Sequence, residues 1–263
     1  MPELPEVETV VRSIAPHIAG RTIEQVELYS RFVTRGGLKK TARQLAGRAI
    51  QKVWRRGKNI FIDLDHGVLY VHLGMTGKLL WDSHPGKYTR AIFSLENGSL
   101  LYDDIRQFGR VEYFKSLPKF LQRTGPDALS LVFDEFHTRL LKRTGQIKAL
   151  LLNQSFIAGV GNIYADETLF AASIHPKTQV ARISKMRAEK LHKSLLEVLH
   201  QAIHHRGSSV SDYVDGDGEK GAFQTLHAVY GRAGQPCPRC GAPIRRIVVA
   251  QRGTHYCARC QRA

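Results

Sequence analysis

Two groups of residues in this chain are of types that do chemistry: the opening Met1-Pro2-Glu3-Leu4-Pro5-Glu6, and four cysteines confined to the last 27 positions. Methionine before a small residue is ordinarily trimmed, so the mature chain is expected to begin at Pro2 with a free secondary amine. An α-amino group titrates at about 7.7 to 8, which leaves a usable neutral fraction near neutrality. Such amines attack carbonyl-like carbons, and a secondary amine gives a charged iminium, a strong electron sink. Glu3 and Glu6 place carboxylates within reach of that chemistry. The same residues also fit an ordinary helix start, with Pro5 in the first turn and acidic side chains at the positive end of the dipole.

The cysteines form Cys237-Pro-Arg-Cys240 and Cys257-Ala-Arg-Cys260, with 16 residues between the pairs. Two Cys-x-x-Cys knuckles at this spacing bring four thiolates to one tetrahedral zinc ion, and a β-hairpin bridges them. Two disulfides are the alternative, disfavoured in a chain with no sign of secretion. Four sulfur ligands leave no open position for water, so one structural Zn2+ is expected. Ile244 to Ala250 reads as a strand, Gln251 to Thr254 as its turn, and His255-Tyr256 as the return. That places Arg252 at a hairpin tip, where its guanidinium reaches a phosphate or is simply solvated.

With 39 Lys plus Arg against 23 Asp plus Glu, the formal charge is +16 and the pI about 9.9. This is the electrostatic footprint of a polyanion partner, nucleic acid first. No apolar run is long enough to span a bilayer and the N-terminus does not read as a signal peptide, so a cytoplasmic, nucleoid-associated monomer is expected.

The elements that must position these groups fall into three parts. Val7, Val10, Val11, Ile14 and Ile18 continue the N-terminal helix at helical spacing. Short β-branched and aromatic runs follow: Ile23 to Tyr29, Ile50 to Trp54, Ile60 to Leu64, Val68 to Leu73, Ala91 to Leu95, Leu100 to Asp103 and Val111 to Phe114. Their regular spacing predicts a sandwich or barrel. Lys115 to Ser130, with Pro118, Gly125 and Pro126, reads as a linker. The period then turns helical over Phe133 to Leu141, Ile147 to Leu152, Ile163 to Ala172 and Leu191 to Ile203. Within it, Asn153 to Asn162 is a tight glycine turn between helices. There Asn162 is expected to cap the next helix while exposed amides point at an anion. Val214 to Gly221 reads as a mobile, glycine-rich loop. It is not a calcium loop, because Lys220 and Leu226 occupy the positions that need Gly and Glu.

Three ordered motifs, the Pro2 start, Gly-Val-Gly-Asn162 and the four-cysteine hairpin, together resemble the bacterial formamidopyrimidine-DNA glycosylase family, end to end. The resemblance implies an α+β fold. An N-terminal β-sandwich flanked by helices (1–126) precedes a C-terminal helix-two-turns-helix DNA-binding domain (127–228) with a four-cysteine zinc-finger hairpin (229–263). It implies a bifunctional DNA glycosylase and AP lyase that excises oxidised purines such as 8-oxoguanine and formamidopyrimidines from duplex DNA. Pro2 then looks like the nucleophile on C1′, Glu3 like the acid/base group and Glu6 like a supporting carboxylate. Lys58, Asn162 and Arg252 look like phosphate clamps, Lys58 serving the catalytic site as well. Met75, Arg106 and Phe108 resemble the residues that fill the void left by an extruded base, and Lys148 and Tyr88 are expected among the DNA contacts.

Rotating a nucleotide out of the duplex costs a few kcal/mol, roughly, so something must occupy the hole. Met75 or Phe108 would hold the neighbouring bases apart, and Arg106 would donate to the orphaned base. Without the resemblance, Met75 and Phe108 read as core and Lys58 and Arg106 as solvated charges. Two positions depart from the family pattern. Lys87-Tyr88-Thr89-Arg90 stands where many members are His-rich, and Ala222 stands where many carry an aromatic residue in the loop that caps the flipped base. Two other readings stay open: an endonuclease VIII-like glycosylase for oxidised pyrimidines, which usually lacks the Met75, Arg106 and Phe108 set, and a non-catalytic zinc-ribbon DNA binder.

Overall fold

The computed structural model describes Met1 to Arg262. The chain forms two compact units. The first comprises Met1–Leu121 together with His205–Gln224, and the second comprises Gln122–His204 and the chain from Thr225 onward.

In the first unit, α1 (Leu4–Ile18) is followed by β1 (Ile23–Leu28), α2 (Leu38–Leu45), β2 (Ile50–Arg56), β3 (Asn59–Leu64), β4 (Val68–His72), β5 (Gly77–Trp81), β6 (Thr89–Leu95), β7 (Gly98–Asp104) and β8 (Arg110–Phe114). The strands make two four-stranded antiparallel sheets, ordered β1-β6-β7-β5 and β2-β3-β4-β8. Alternation along β6 buries Thr89, Ala91, Phe93 and Leu95 and half-exposes the residues between them, as period-2 geometry requires. Ile60, Ile62, Val71 and Val111 of one sheet and Leu79, Phe93 and Tyr102 of the other share one core with Val7, Val10, Ile14 and Ile18 of α1. Each fully buried aliphatic side chain contributes about 1.5 to 3 kcal/mol, so the apolar stripe of α1 fixes where the chain begins. Phe61 points the other way, into a smaller cluster with Val68, Tyr70 and Leu121.

Two elements were absent from the sequence reading. Gly77-Lys-Leu-Leu-Trp81 carries no β-branched residue, yet pairs along β7 from Gly77↔Asp104 to Trp81↔Leu100. The helix α2 is short and starts behind Gly37 with no side-chain cap. Residues 205–224, read as part of the helical domain, pack instead in the first unit. Tyr213 donates to the Glu6 carbonyl at 3.2 Å, Gly216 N–H to Ser13 Oγ at 2.8 Å, and Trp81 N–H to the Gly216 carbonyl at 2.8 Å. The Val214 to Gly221 loop is closed around the fully buried Asp215, which accepts from the Asp217 and Glu219 N–H groups and pairs with Arg206.

The second unit holds α3 (Phe133–Leu141), α4 (Ile147–Leu152), α5 (Asn162–Ala171), α6 (Lys185–His204) and the hairpin β9 (Arg245–Val249) and β10 (Arg252–Tyr256). Tyr164 to Phe170 of α5 are all buried, and α6 presents Ala188, Leu191, Leu195, Val198, Leu199 and Ala202 as its buried stripe. The helix α5 opens behind Gly161, and Asn162 is its first residue rather than its cap.

Candidate active site and nucleic-acid interface

The N-terminal residues are built into the first turn of α1. Glu3 is the N-cap, and Glu3 and Glu6 form a capping box in which the Glu6 carboxylate accepts the Glu3 N–H at 2.8 Å. Glu6 Oε1 also accepts the Ser208 N–H at 2.8 Å, so one buried carboxylate joins the chain start to the 205–224 segment. Gly207, at φ +80, passes so close that a Cβ there would lie 2.8 Å from Glu6 Oε1. Pro2 and Glu3 are buried as well.

Lys58 stands in the turn between β2 and β3, and 9% of it is exposed. Arg55 fastens this hairpin to α1. Its Nε lies 2.6 Å from Glu8 Oε2, and its Nη1 donates to the Gly57 carbonyl at 3.3 Å. Across the ladder, Asn59 pairs with His72. Burial first, then the positive charges of Lys58 and Arg110, hold the His72 ring below its ordinary pKa. Its Nδ1 accepts the Gly74 N–H at 3.1 Å. The sequence reading gave His72 no role; its signal was the cross-strand place beside Lys58.

Met75, Tyr88, Arg106 and Phe108 are brought together at one end of the β6-β7-β5 sheet by a residue the sequence reading passed over, the fully buried Asp104. Its Oδ1 accepts from the Thr76 hydroxyl at 2.6 Å, and its Oδ2 from the Gly109 N–H at 2.9 Å and the Tyr102 hydroxyl at 3.3 Å. Its own N–H donates to the Tyr88 carbonyl at 2.9 Å. Thr76 Oγ1 in turn accepts the Arg106 N–H at 3.0 Å. The Met75 and Phe108 loops touch at two glycines: a Cβ on Gly74 would lie 2.7 Å from the Gly109 nitrogen. On this base Met75 is 41% and Phe108 54% exposed, and the Arg106 guanidinium lies 4.6 Å above the Phe108 ring. Side chains of these types more often fill cores, and here they are held outward on loops anchored by the buried Asp104 carboxylate. Tyr88 is exposed between the Lys87 and Arg90 cations.

In the second unit the four cysteine sulfurs lie within 4.8 Å of one another, with Cys237 to Cys260 at 3.9 Å and Cys240 to Cys257 at 3.5 Å. Disulfides need about 2.05 Å. Tetrahedral zinc with bonds of about 2.3 Å separates its sulfurs by about 3.8 Å, which this cluster matches. Cys237, Cys240, Cys257 and Cys260 thus fit one structural zinc. The knuckles are packed on α5: Glu167 accepts the Ala228, Val229 and Tyr230 N–H groups at 2.8 to 3.0 Å, and Phe170 joins Cys237 and Cys257 in a common cluster.

Arg252 is the first residue of β10, paired with Val249, and is not at the hairpin tip. The tip is Ala250-Gln251, both at positive φ, the two-residue turn whose twist suits the hairpin. Behind it, Asn162 Nδ2 donates to the Gly253 carbonyl at 2.9 Å and Asp166 Oδ2 accepts the His255 N–H at 2.8 Å. Lys148, expected among the DNA contacts, is instead buried within the second unit. It is 0% exposed, its Nζ 2.6 Å from Asp166 Oδ1 and 2.7 Å from Thr254 Oγ1. A buried ammonium with these partners supports the hairpin and offers no surface to a phosphate. Among the described residues no helix is long and apolar enough to cross a membrane.

Three family models match in order: the formamidopyrimidine-DNA glycosylase N-terminal domain over residues 1–111, the H2TH domain of the same enzymes over 124–214, and the zinc finger found in FPG and IleRS over 234–263. A formamidopyrimidine-DNA glycosylase of Solibacter usitatus is 50% identical over 264 residues, covering both chains completely. The solved MutM (Fpg) of Thermus thermophilus superposes with a TM-score of 0.89 at 42% identity, over 99% of this chain and 98% of that one. A Lactococcus lactis Fpg in complex with DNA containing an abasic site superposes at 0.92, with 37% identity over 99% of this chain and all of that one. The chain belongs to the formamidopyrimidine-DNA glycosylase family of DNA-repair enzymes.

Proposed function

We propose that the chain excises oxidised purines from duplex DNA and cleaves the resulting abasic site, with Pro2 as the nucleophile once Met1 is removed. The observation that carries this reading is the buried carboxylate pair at the start of α1, Glu3 and Glu6, which immediately follows the buried Pro2 in the chain and whose Glu6 accepts the Ser208 N–H. The neutral Pro2 amine attacks C1′ and the C1′–base bond breaks, the base leaving with a proton and the sugar ring opening with Glu3 as acid/base group. The product is an iminium between Pro2 and C1′. Electron withdrawal by the iminium acidifies the C2′ hydrogen, so the 3′ phosphate and then the 5′ phosphate leave by β- and δ-elimination. Water then hydrolyses the iminium and restores the amine. Zinc takes no part in these steps, since four cysteine ligands fill its coordination sphere.

In the same reading Lys58, Asn162 and Arg252 contact phosphates, and Met75, Arg106 and Phe108 occupy the space of the extruded base, with Tyr88 at their side. Support comes from the exposure of Met75 and Phe108 and from a formal charge of +16. We infer that the enzyme works in the cytoplasm on nucleoid DNA, as its bacterial relatives and its DNA substrate suggest.

Borohydride trapping tests the proposal. Reduction of a mixture of protein and duplex bearing 8-oxoguanine should leave a covalent adduct that mass spectrometry places on the N-terminal peptide, and Pro2→Gly should lose most of it. An adduct on Lys58, with trapping unchanged in Pro2→Gly, would overturn the assignment. No adduct at all would favour a non-catalytic DNA binder, and a preference for oxidised pyrimidines would favour the endonuclease VIII-like reading.

A further inference from the structure

The sheet β2-β3-β4-β8 carries a groove of about 580 Å3 that none of the proposed roles uses. Part of its lining is aromatic. The Tyr70 ring meets Phe120 at 5.3 Å and Phe114 at 6.0 Å, both edge-on, and Phe120 is 39% exposed. The remainder includes two guanidiniums. Arg35 and Arg110 both face Glu112 Oε1, at 3.8 and 3.9 Å. These distances are too long for hydrogen bonds, so Glu112 orients both cations without using up their N–H groups. Arg110 Nη1 is bound to the Phe32 and Gly109 carbonyls at 2.6 and 3.0 Å, and Arg35 is largely exposed, with Glu112 as its only polar partner among the described residues.

An exposed ring, Phe120, backed by the buried Tyr70, shares this groove with the exposed, loosely held guanidinium of Arg35. These are the two halves of a nucleotide site: a π surface for a base and charge-assisted donors for its phosphate. Inorganic anions need no rings, and an apolar peptide needs no guanidiniums. Bases inside a duplex are stacked and paired, so only an unpaired one can reach such a ring. We propose that this groove binds an unpaired nucleotide of a DNA strand, its base stacked on Phe120 and its phosphate held by Arg35, with the Arg110 cation beside it. Position supports this occupant. Asn59, in the lining, directly follows Lys58, and Arg110 follows the Phe108 loop by two residues, so the groove adjoins the surfaces already assigned to DNA. The inference extends the DNA-repair reading given above.

The test uses 2-aminopurine, whose fluorescence falls on stacking. The full-length protein is titrated with 2-aminopurine deoxyribonucleoside 5′-monophosphate, and then with an abasic-analogue duplex carrying unpaired 2-aminopurine in a three-nucleotide extension. Saturable quenching with both probes is expected. Phe120→Ala and Arg35→Ala should each weaken mononucleotide binding by about tenfold or more, while Phe120→Trp preserves it. Absent quenching in the wild type, or quenching unchanged in both alanine variants, would overturn the proposal. So would quenching by the mononucleotide alone, because the occupant would then not belong to a strand. Borohydride trapping on a blunt 8-oxoguanine duplex, run on the same preparations, keeps the two readings apart. Loss of trapping in the wild type counts against the glycosylase assignment, whereas normal trapping without quenching counts against the groove alone.

Discussion

The Thr76 hydroxyl donates to the fully buried Asp104 carboxylate at 2.6 Å and accepts the Arg106 N–H at 3.0 Å, so one side chain couples the loop of Met75 to the loop of Arg106 and Phe108. Thr76→Val removes a donor from a buried carboxylate and an acceptor from a backbone amide while keeping the shape. An unsatisfied charged group costs upward of about 1 to 3 kcal/mol. Thermal unfolding should show a loss of that order, and single-turnover excision should slow with every lesion, because both loops lose their common support. Unchanged melting together with unchanged excision would show that the loops are held independently.

Arg106 is the expected reader of the base opposite the lesion. A guanidinium has donors and no acceptor, so it matches the O2 and N3 acceptors of an orphaned cytosine, whereas the pairing edge of adenine presents an amino donor. A well-placed bidentate contact is worth about 1 to 3 kcal/mol of discrimination. Arg106→Ala should therefore narrow the preference for 8-oxoguanine opposite C over A by roughly tenfold. Met75→Ala should slow both reactions alike. An unchanged C-to-A ratio in single-turnover cleavage would assign the reading to another residue.

Lys148 and Asp166 are a fully buried ion pair behind the hairpin of Arg252. Removing one partner of such a pair costs about 3 to 5 kcal/mol, because the other charge is left without compensation. Lys148→Ala should destabilise the second unit by that order and weaken DNA binding through the displaced hairpin. The salt dependence separates this role from direct contact. Each phosphate neutralised adds about 0.9 to the slope of log affinity against log salt. Lys148→Met, retaining volume but not charge, should leave that slope unchanged, and Arg252→Ala should make it shallower by about one.

Zinc removal should act on the same hairpin. Cys257→Ser, or prolonged chelation, should release one equivalent of metal and reduce lesion binding, while near-UV signals from Trp54 and Trp81 of the first unit persist. Full DNA affinity in metal-free protein would remove the zinc cluster from any role in binding.

Acid should destabilise the second unit through His227. Burial lowers its pKa from about 6.5 to about 4. The unfolded chain therefore takes up a proton that the folded chain refuses between these values. The contribution is fully present above pH 6.5 and is lost as the pH falls through about 4, a total of about 3 kcal/mol. His227→Gln should flatten the dependence of unfolding free energy on pH in that window. An equally steep fall in the variant would place the sensitivity elsewhere.

Much of the architecture was legible locally. The bounds of α3 and α4 follow from their helical periodicity, the cysteine spacing specifies a tetrahedral site, and the Pro5 and Glu6 pattern starts α1 where the structure has it. These features depend on residues a few positions apart, where sterics and side-chain chemistry decide alone. The sequence also supplied a charge of +16 and, through three ordered motifs, the family. Tertiary structure decided what depends on distant partners. Residues 205–224 join the first unit because Glu6 and Ser13 accept their amides, which no local pattern encodes. Lys148 looks like any surface lysine until Asp166 and Thr254 enclose it, and Asp104 like any strand-end acid until Thr76, Tyr102 and Gly109 converge on it. A buried charge persists only where its partners are assembled at hydrogen-bond distance, and such an assembly is made by the packing of elements far apart in the chain.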